Sequence, residues 1–143
     1  MDDIDLKILR ILQENSRITM RELANQVHMS GPAVTERIKK LEEEGVITGY
    51  TVSLDPGKFD KQTMAFITVW MSSPRHGEFL DFCRATEDIV ECHRVAGEGC
   101  YLLRVLTRDN SALEGLIDQV LNFGNYRVSI VMSSPVDRVV IKM

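Results

Sequence analysis

The sequence has no apolar run that approaches the roughly 20 residues of a membrane span, and its first five residues, Met-Asp-Asp-Ile-Asp, are acidic. A basic amino-terminal region of the secretory type is therefore missing, so nothing here predicts export or a membrane partner, and the expected location is cytoplasmic. The three cysteines are an odd number without a Cys-x-x-Cys pair. That usage favours reduced thiols over a metal site or a disulfide framework.

The chain also lacks an excess of positive charge, with 17 Lys and Arg against 21 Asp and Glu and a net charge of −4. That balance argues against a polycation that coats nucleic acid without discrimination. It leaves open a protein that concentrates a few basic groups on one surface. The length, 143 residues, suffices for one ordinary domain or two small ones.

The spacing of apolar residues changes from helical to strand-like near residues 50–62. The segment 54–60 (LDPGKFD) carries Pro and Gly placed for a tight turn. We therefore predict a first domain at 1–52, a linker at 53–62 and a second domain at 63–143.

Capping residues predict three helices in the first domain. Their start and end signals are Asp2 or Asp3 and Asn15 for the first, Thr19-Met20-Arg21-Glu22 and Val27 for the second, and Ser30 and Gly45 for the third. Residues 46–47 and 50–52 then predict a short pair of strands. Three helices with a tight turn between the last two, followed by a small β wing, indicate a winged helix-turn-helix.

The third helix has the pattern of a helix that reads DNA. Val34, Ile38 and Leu41 fall within about 60° of one another and predict its buried side. A recognition helix reaches base edges with its N-terminal half and meets phosphates with basic groups. The residues predicted to bind double-stranded DNA are Ser30, Gly31, Pro32, Thr35, Glu36, Arg37, Lys39 and Lys40. Arg37 points to the side of the helix, so it either meets a phosphate or braces the first helix.

Three glutamates, Glu42, Glu43 and Glu44, close the same helix. They lie past the expected contact zone. We expect them to limit the contact to the front of the helix rather than to prevent binding.

The sequence of the second domain predicts the element order β-α-β-β-α-β. The strands are expected at 64–71, 89–96, 100–106 and 126–132, with a fifth at 136–141, and the helices at 76–85 and from Asp109 or Asn110 to about 122, ended by Gly124. That order is typical of a ferredoxin-like split. The predicted class is therefore α+β, with an N-terminal winged helix-turn-helix and a C-terminal ferredoxin-like domain.

The first strand is apolar on both faces, with Met64, Phe66 and Trp70 on one and Ala65, Ile67, Val69 and Met71 on the other. Two short helices cover only one face of a four-stranded sheet. The uncovered face would be a larger apolar patch than a soluble monomer tolerates. We therefore predict a homodimer by sheet-to-sheet packing in preference to a small-molecule cavity, and such a dimer would carry two reading helices.

Several short segments of the chain resemble the Lrp/AsnC (feast/famine) family of prokaryotic transcriptional regulators. They include DLKIL at 5–9, ELA at 22–24, VTERIKKLE at 34–42, GVI at 45–47 and GY at 49–50. The resemblance runs nearly the full length. It implies a sequence-specific DNA-binding transcriptional regulator that acts as a dimer or a larger assembly, often an octamer, and often takes an amino acid as effector.

The resemblance also implies an effector-binding loop between the second and third strands. Its residues here are Gly97, Glu98, Gly99, Cys100 and Tyr101. Gly97 and Tyr101 keep the family pattern, whereas Gly99 and Cys100 stand where the family often has an acid. The alternative is that Gly-Glu-Gly is only a tight hairpin turn.

Catalytic interpretations are not favoured. Cys92 and His93 are neighbours on a strand and project to opposite faces, so they cannot pair as nucleophile and base. No ligand spacing supports a metal at Cys92 with His76 or Cys100. We expect no enzyme, no catalytic residue, no metal and no cofactor. The alternative to a DNA-binding regulator is a ligand-sensing or assembly module without direct DNA binding.

Overall fold

The computed structural model describes residues 1–136 and residue 141. These divide between Ser53 and Leu54 into two compact units, and Ile141 groups with the first. The predicted α+β class is confirmed, with a helix-turn-helix at the N-terminus and a four-stranded sheet with two helices after it.

The first unit contains α1 (Asp3–Glu14), α2 (Met20–Val27) and α3 (Gly31–Glu43). Each helix begins where its predicted cap accepts a main-chain N–H: the side chain of Asp2 from Asp5, that of Thr19 from Glu22 and that of Ser30 from Ala33. Such caps satisfy amides that have no partner inside the helix. Local sequence alone therefore defines where these helices start.

The turn between α2 and α3 depends on one residue with left-handed backbone. His28 has φ 56° and ends α2, and the amide of Met29 donates to the carbonyl of Ala24 at 3.0 Å. Ser30, the N-cap of α3, follows directly after Met29. Apolar side chains from all three helices and from Ile18, which lies between α1 and α2, form the core of the unit. The helical residues are Ile8, Leu12, Leu23, Ala24, Val27, Val34 and Ile38.

The predicted wing strands at 46–47 and 50–52 do not form, although every residue of that segment is described. The amides of Val46 and Ile47 both donate to the carbonyl of Leu41, at 2.9 and 3.0 Å. These bonds hold the start of the segment against the end of α3, so its donors are not available for a strand ladder. The segment instead bends at 46–47 and continues as irregular structure through 52.

The second unit begins with a 3₁₀ turn, Pro56–Phe59, and continues as β1 (Thr63–Met71), α4 (His76–Ala85), β2 (Ile89–Arg94), β3 (Tyr101–Thr107), α5 (Asn110–Val120) and β4 (Gly124–Ile130). The sheet is antiparallel with the order β2–β3–β1–β4, the arrangement that the β-α-β-β-α-β pattern predicts. The fifth strand predicted at 136–141 falls on residues 137–140, which lie outside the described part of the chain.

The prediction that Gly124 ends α5 is wrong. The helix ends at Val120, and Gly124 is the first residue of β4. Its position lies against β1, where an added Cβ would be 2.0 Å from the carbonyl oxygen of Trp70. The glycine therefore serves the close approach of two strands rather than a helix cap.

The two faces of the sheet differ in what covers them. On one, α4 and α5 pack over β1 and β3, and the buried side chains include Ala65, Ile67, Val69, Phe79, Leu103, Val105, Leu113 and Leu116. We call the other the open face. The register places on it Met64, Phe66, Thr68, Trp70, Glu91, His93, Leu102, Arg104, Leu106, Asn125, Arg127 and Ser129. Neither α4 nor α5 packs on this side of the sheet, and Phe66 remains 37% exposed.

Candidate functional site

The N-terminal end of α3 presents a slim, exposed surface. Ser30, Pro32 and Thr35 are exposed, and the position that a Cβ on Gly31 would take has no atom within 4 Å. The hydroxyl of the exposed Thr35 donates to the carbonyl of Gly31 at 3.0 Å. A main chain with so little around it can approach another molecule closely.

The C-terminal half of α3 carries alternating charges that pair with each other. The ammonium of Lys39 lies 3.5 Å from the carboxylate of Glu43, and that of Lys40 lies 3.7 Å from Glu44. All four side chains are largely exposed, so each pair contributes only about 0.3–0.5 kcal/mol and yields readily to a competing anion. Glu36 is also exposed, on the same side of the helix.

Glu42, the third of these glutamates, holds the segment that follows the helix. It accepts a hydrogen bond of 2.8 Å from the hydroxyl of Tyr50. Partial burial, together with this carboxylate, raises the pKa of Tyr50 above its usual value. Sequence reasoning missed this contact, because the partners lie eight positions apart and two glycines stand between them.

Arg37 braces the first helix, one of the two roles that its position allows. Its Nη1 lies 2.8 Å from a carboxylate oxygen of Asp2 and 2.7 Å from one of Asp5. The Asp5 amide and then this guanidinium hold the pKa of the Asp2 carboxyl below its usual range. The two aspartates raise the pKa of Arg37 in turn. Asp2 and Asp5 thus join the site, although the sequence indicated only a helix cap for Asp2.

The hairpin between β2 and β3 needs both of its glycines, for different reasons. Gly97 and Gly99 have φ values of 112° and 92°, a region that side chains disfavour. A Cβ on Gly99 would also lie 2.5 Å from a methyl of Thr68, whereas Gly97 faces open space. The amide of Cys100 donates to the carbonyl of Val69 at 2.7 Å and anchors the loop to β1.

The predicted effector residues split between this loop and the core. Glu98 is exposed and pairs with Arg127 at 3.0 Å, and the Arg127 guanidinium lies 5.4 Å from the centre of the Trp70 ring. Tyr101 is only 1% exposed. Its ring packs on Phe79, and its hydroxyl lies 3.0 Å from Nδ1 of His76. A ligand at the loop would therefore meet Glu98 rather than the ring of Tyr101.

The open face carries an ion-pair network around Glu91 among its apolar side chains. Glu91 accepts from Arg104 at 2.7 Å and lies 3.0 Å from a ring nitrogen of His93. These hydrogen bonds, that of His93 first, hold the pKa of Glu91 below its usual range. The charges are therefore satisfied within the chain.

Two of the three cysteines, Cys83 and Cys92, lie where burial makes a thiol less reactive. Burial, with Cys92 close by, raises the pKa of Cys83 to about 12, and burial raises that of Cys92 as well. Cys92 and His93 pair with different residues of β3 and face opposite sides of the sheet. Within residues 1–136 and 141, no three His, Cys, Asp or Glu side chains lie close enough together to hold a metal. Over the same range, no helix has the length and apolar character needed to cross a membrane.

Comparison with known proteins gives a consistent result for both units. Residues 1–48 match the family described as winged helix-turn-helix DNA-binding, and residues 64–141 match the Lrp/AsnC ligand binding domain. The chain is 38% identical to the HTH-type transcriptional regulator LrpB of Bacillus subtilis over 90% of this chain and 86% of that protein. It is 36% identical to the leucine-responsive regulatory protein of Escherichia coli over 85% of this chain and 76% of that protein.

Solved structures agree with these relatives. A transcriptional regulator of Neisseria meningitidis in complex with L-methionine superposes with a TM-score of 0.92 at 28% identity, over 99% of this chain and 96% of that one. Fold and sequence therefore point to one family.

Proposed function

The chain belongs to the Lrp/AsnC family of DNA-binding transcriptional regulators, and we propose that it reads DNA with the N-terminal half of α3 as part of a homodimer. The observation that carries the proposal is the bare leading end of α3. There, exposed Ser30, Pro32 and Thr35 flank a glycine with open space around it.

The contacts that we propose divide between bases and phosphates. Ser30, Gly31, Pro32 and Thr35 enter the major groove, and Glu36 follows them along the outer side, where a carboxylate can accept from a cytosine amino group. Lys39 and Lys40 meet the phosphate backbone, and counterion release there exceeds the value of their weak pairs with Glu43 and Glu44. Arg37 is not part of this set, because its guanidinium lies against α1.

In the proposed dimer, the second subunit packs against the open face of the sheet. Met64, Phe66 and Leu106 lie on that face, away from α4 and α5, and packing against the same face of a second copy would remove them from water. A two-fold dimer would present two reading helices to a symmetric site. Octamers, which the family resemblance implies, would assemble from these dimers.

An amino-acid effector at the loop from Gly97 to Tyr101 is our proposal for regulation. The bound L-methionine of the Neisseria relative supports it, as does the exposed carboxylate of Glu98, which is suited to an ammonium group. Stabilisation of this chain by an amino acid in a thermal-shift screen, lost in Glu98→Gln, is the expected result. The absence of stabilisation by any amino acid would count against this site.

Transcription regulation requires neither catalysis nor a bound cofactor, and we propose that this chain has neither. The unreactive state of Cys83 supports the absence of thiol catalysis. A cytoplasmic location, where the DNA is, completes the proposal.

The test is a binding experiment with fragments selected from the host genome at several salt concentrations. We expect sequence-selective binding that weakens in Thr35→Ala, and a slope of log affinity against log salt that falls by about one unit in Lys39→Ala. Lys58→Ala in the second unit is the matched control and should leave the slope unchanged. If no fragment is selected at low salt, the reading role of α3 is wrong.

A further inference from the structure

In the capping box of α1, Asp2 and Asp5 each use only one of their two carboxylate oxygens for capping. One carboxylate oxygen of Asp2 accepts from the amide of Asp5 at 2.9 Å, and one of Asp5 accepts from the amide of Asp2 at 2.8 Å. The other oxygen of each carboxylate accepts from Nη1 of Arg37. The helix cap is thus also a two-carboxylate receptor for an arginine of α3. We call these three residues the clamp.

Within residues 1–136 and 141, the equivalent box at α2 makes its side-chain hydrogen bonds only between Thr19 and Glu22. There Glu22 accepts from both the amide and the hydroxyl of Thr19, so the cap is closed on itself. The difference shows that the arginine is not a general feature of the capping geometry. In the clamp, Asp5 is the more enclosed acid, with a side chain only 13% exposed.

The clamp spans a cleft that apolar packing does not fill. A cavity of about 470 Å³ lies between the start of α1 and one side of α3, lined in part by Met29, Ala33 and Glu36. The buried side chains of α3, Val34, Ile38 and Leu41, lie on a different side of the helix. Across this cleft, therefore, α3 is held by charge and hydrogen bonding.

We propose that Arg37 is a positioning residue, which with Asp2 and Asp5 sets the orientation of α3 for DNA reading and does not itself bind phosphate. The inference rests on the proposed function of α3. One guanidinium between two carboxylates offers little positive field to a phosphate, and a phosphate contact would have to displace both acids.

The clamp predicts an effect opposite in sign to the ordinary electrostatic one. Loss of an acidic side chain from a DNA-binding surface normally tightens binding, because it removes repulsion from the phosphates. Loss of a clamp aspartate should instead weaken sequence-selective binding, since α3 then samples orientations that do not fit the groove.

The experiment compares three single-charge removals in the first turn of α1, all in the full chain with a selected genomic fragment. Asp2→Asn keeps a good helix cap, because Asn caps as well as Asp, and it removes only the charge that faces Arg37. Asp5→Asn removes the more enclosed partner. Asp3→Asn is the matched control, because Asp3 is exposed and its substitution makes the same change in net charge.

We expect Asp2→Asn, Asp5→Asn and Arg37→Met each to weaken selective binding about fivefold to tenfold, with Asp3→Asn equal to or tighter than the wild type. The double variant Asp5→Asn/Arg37→Met should be no weaker than the weaker single variant, because both changes break one unit. The salt slope should stay unchanged in Arg37→Met, whereas loss of a phosphate contact lowers it by about one unit. Circular dichroism and thermal melts identify any variant that fails to fold, and Asp2→Asn then carries the test.

Two outcomes separate the inference from the function on which it rests. If the wild type binds selectively while Asp2→Asn and Asp5→Asn bind as tightly as Asp3→Asn, the clamp is wrong. A lower salt slope in Arg37→Met would also refute it and would make Arg37 a phosphate contact. If the wild type selects no DNA, the reading role of α3 fails, and the clamp's role in reading fails with it.

Discussion

Single glycines of this chain serve opposite purposes, and the space around each shows which. Gly31 has nothing near it, so its small size matters only to what approaches from outside. Gly99 and Gly124 are pressed against β1, and their small size is required by the fold itself. A glycine in an exposed helix end therefore supports a binding role, whereas one at a strand crossing supports a packing role.

Gly124→Ala should lower the free energy of unfolding by about 1–3 kcal/mol, the usual range for overpacking. The added methyl would meet the main-chain carbonyl of Trp70, which cannot turn aside as a side chain would. Chemical denaturation followed by circular dichroism measures the loss. Gly115→Ala, in the open interior of α5, is the control and should be neutral or stabilising. Equal stability of both variants would contradict the close contact.

At the scale of the element, α3 pairs the lysines that we propose to meet phosphates with its own carboxylates. Lys39 and Lys40 each have a glutamate partner one turn later. The pairs are weak, and acids at a helix C-terminus are unfavourable for the helix dipole. Their presence is better explained by binding than by stability. An internal anion that a phosphate must displace lowers non-specific affinity more than the affinity for a site where the front of the helix also fits.

Glu43→Gln and Glu44→Gln should therefore each tighten binding to random-sequence DNA several-fold at low salt and reduce the ratio of selective to non-specific affinity. Fluorescence anisotropy with selected and random duplexes measures both. The stability of the chain should change by no more than about 0.5 kcal/mol. Glu14→Gln at the end of α1 controls for net charge alone. The same gain in that variant would mean that the pairs with lysine have no particular role.

At the scale of the whole molecule, the helices of the second unit cover only one face of the sheet. One face is sealed by α4 and α5, while the open face combines apolar side chains with an internally satisfied Glu91–Arg104–His93 network. A charged network that is already paired is easier to bury in an interface than one that needs a partner. The open face is therefore suited to meet a copy of itself.

Phe66→Glu should convert the protein to a monomer, because it places an unpaired charge at the centre of the proposed interface. Light scattering at micromolar concentration gives the mass, and affinity for a two-fold DNA site should fall with it. Leu121→Glu is the matched control, since Leu121 is 49% exposed but follows α5 on the far side of the sheet. A wild type that is already monomeric, or a dimeric Phe66→Glu, would refute the interface.

The sequence alone determined the helices, the order of elements along the chain and the family, because their signals are local or repeat along the chain. Asp2, Thr19 and Ser30 each cap within three residues, and alternation along β1 indicated two apolar faces. The same locality explains two errors. A strand pair was predicted at 46–52 where the amides turn back to Leu41, and Gly124 was taken for a helix end when its constraint is a carbonyl on another strand.

Only the tertiary structure shows which groups Arg37 contacts, because its partners lie 32 and 35 residues away at the start of another helix. It also moved Tyr101 from the effector loop into the core and gave each glutamate at the end of α3 a partner. Charged side chains are long enough to reach several neighbours, so their spacing in sequence indicates a surface but not a contact. Which acid meets which base depends on how the helices pack.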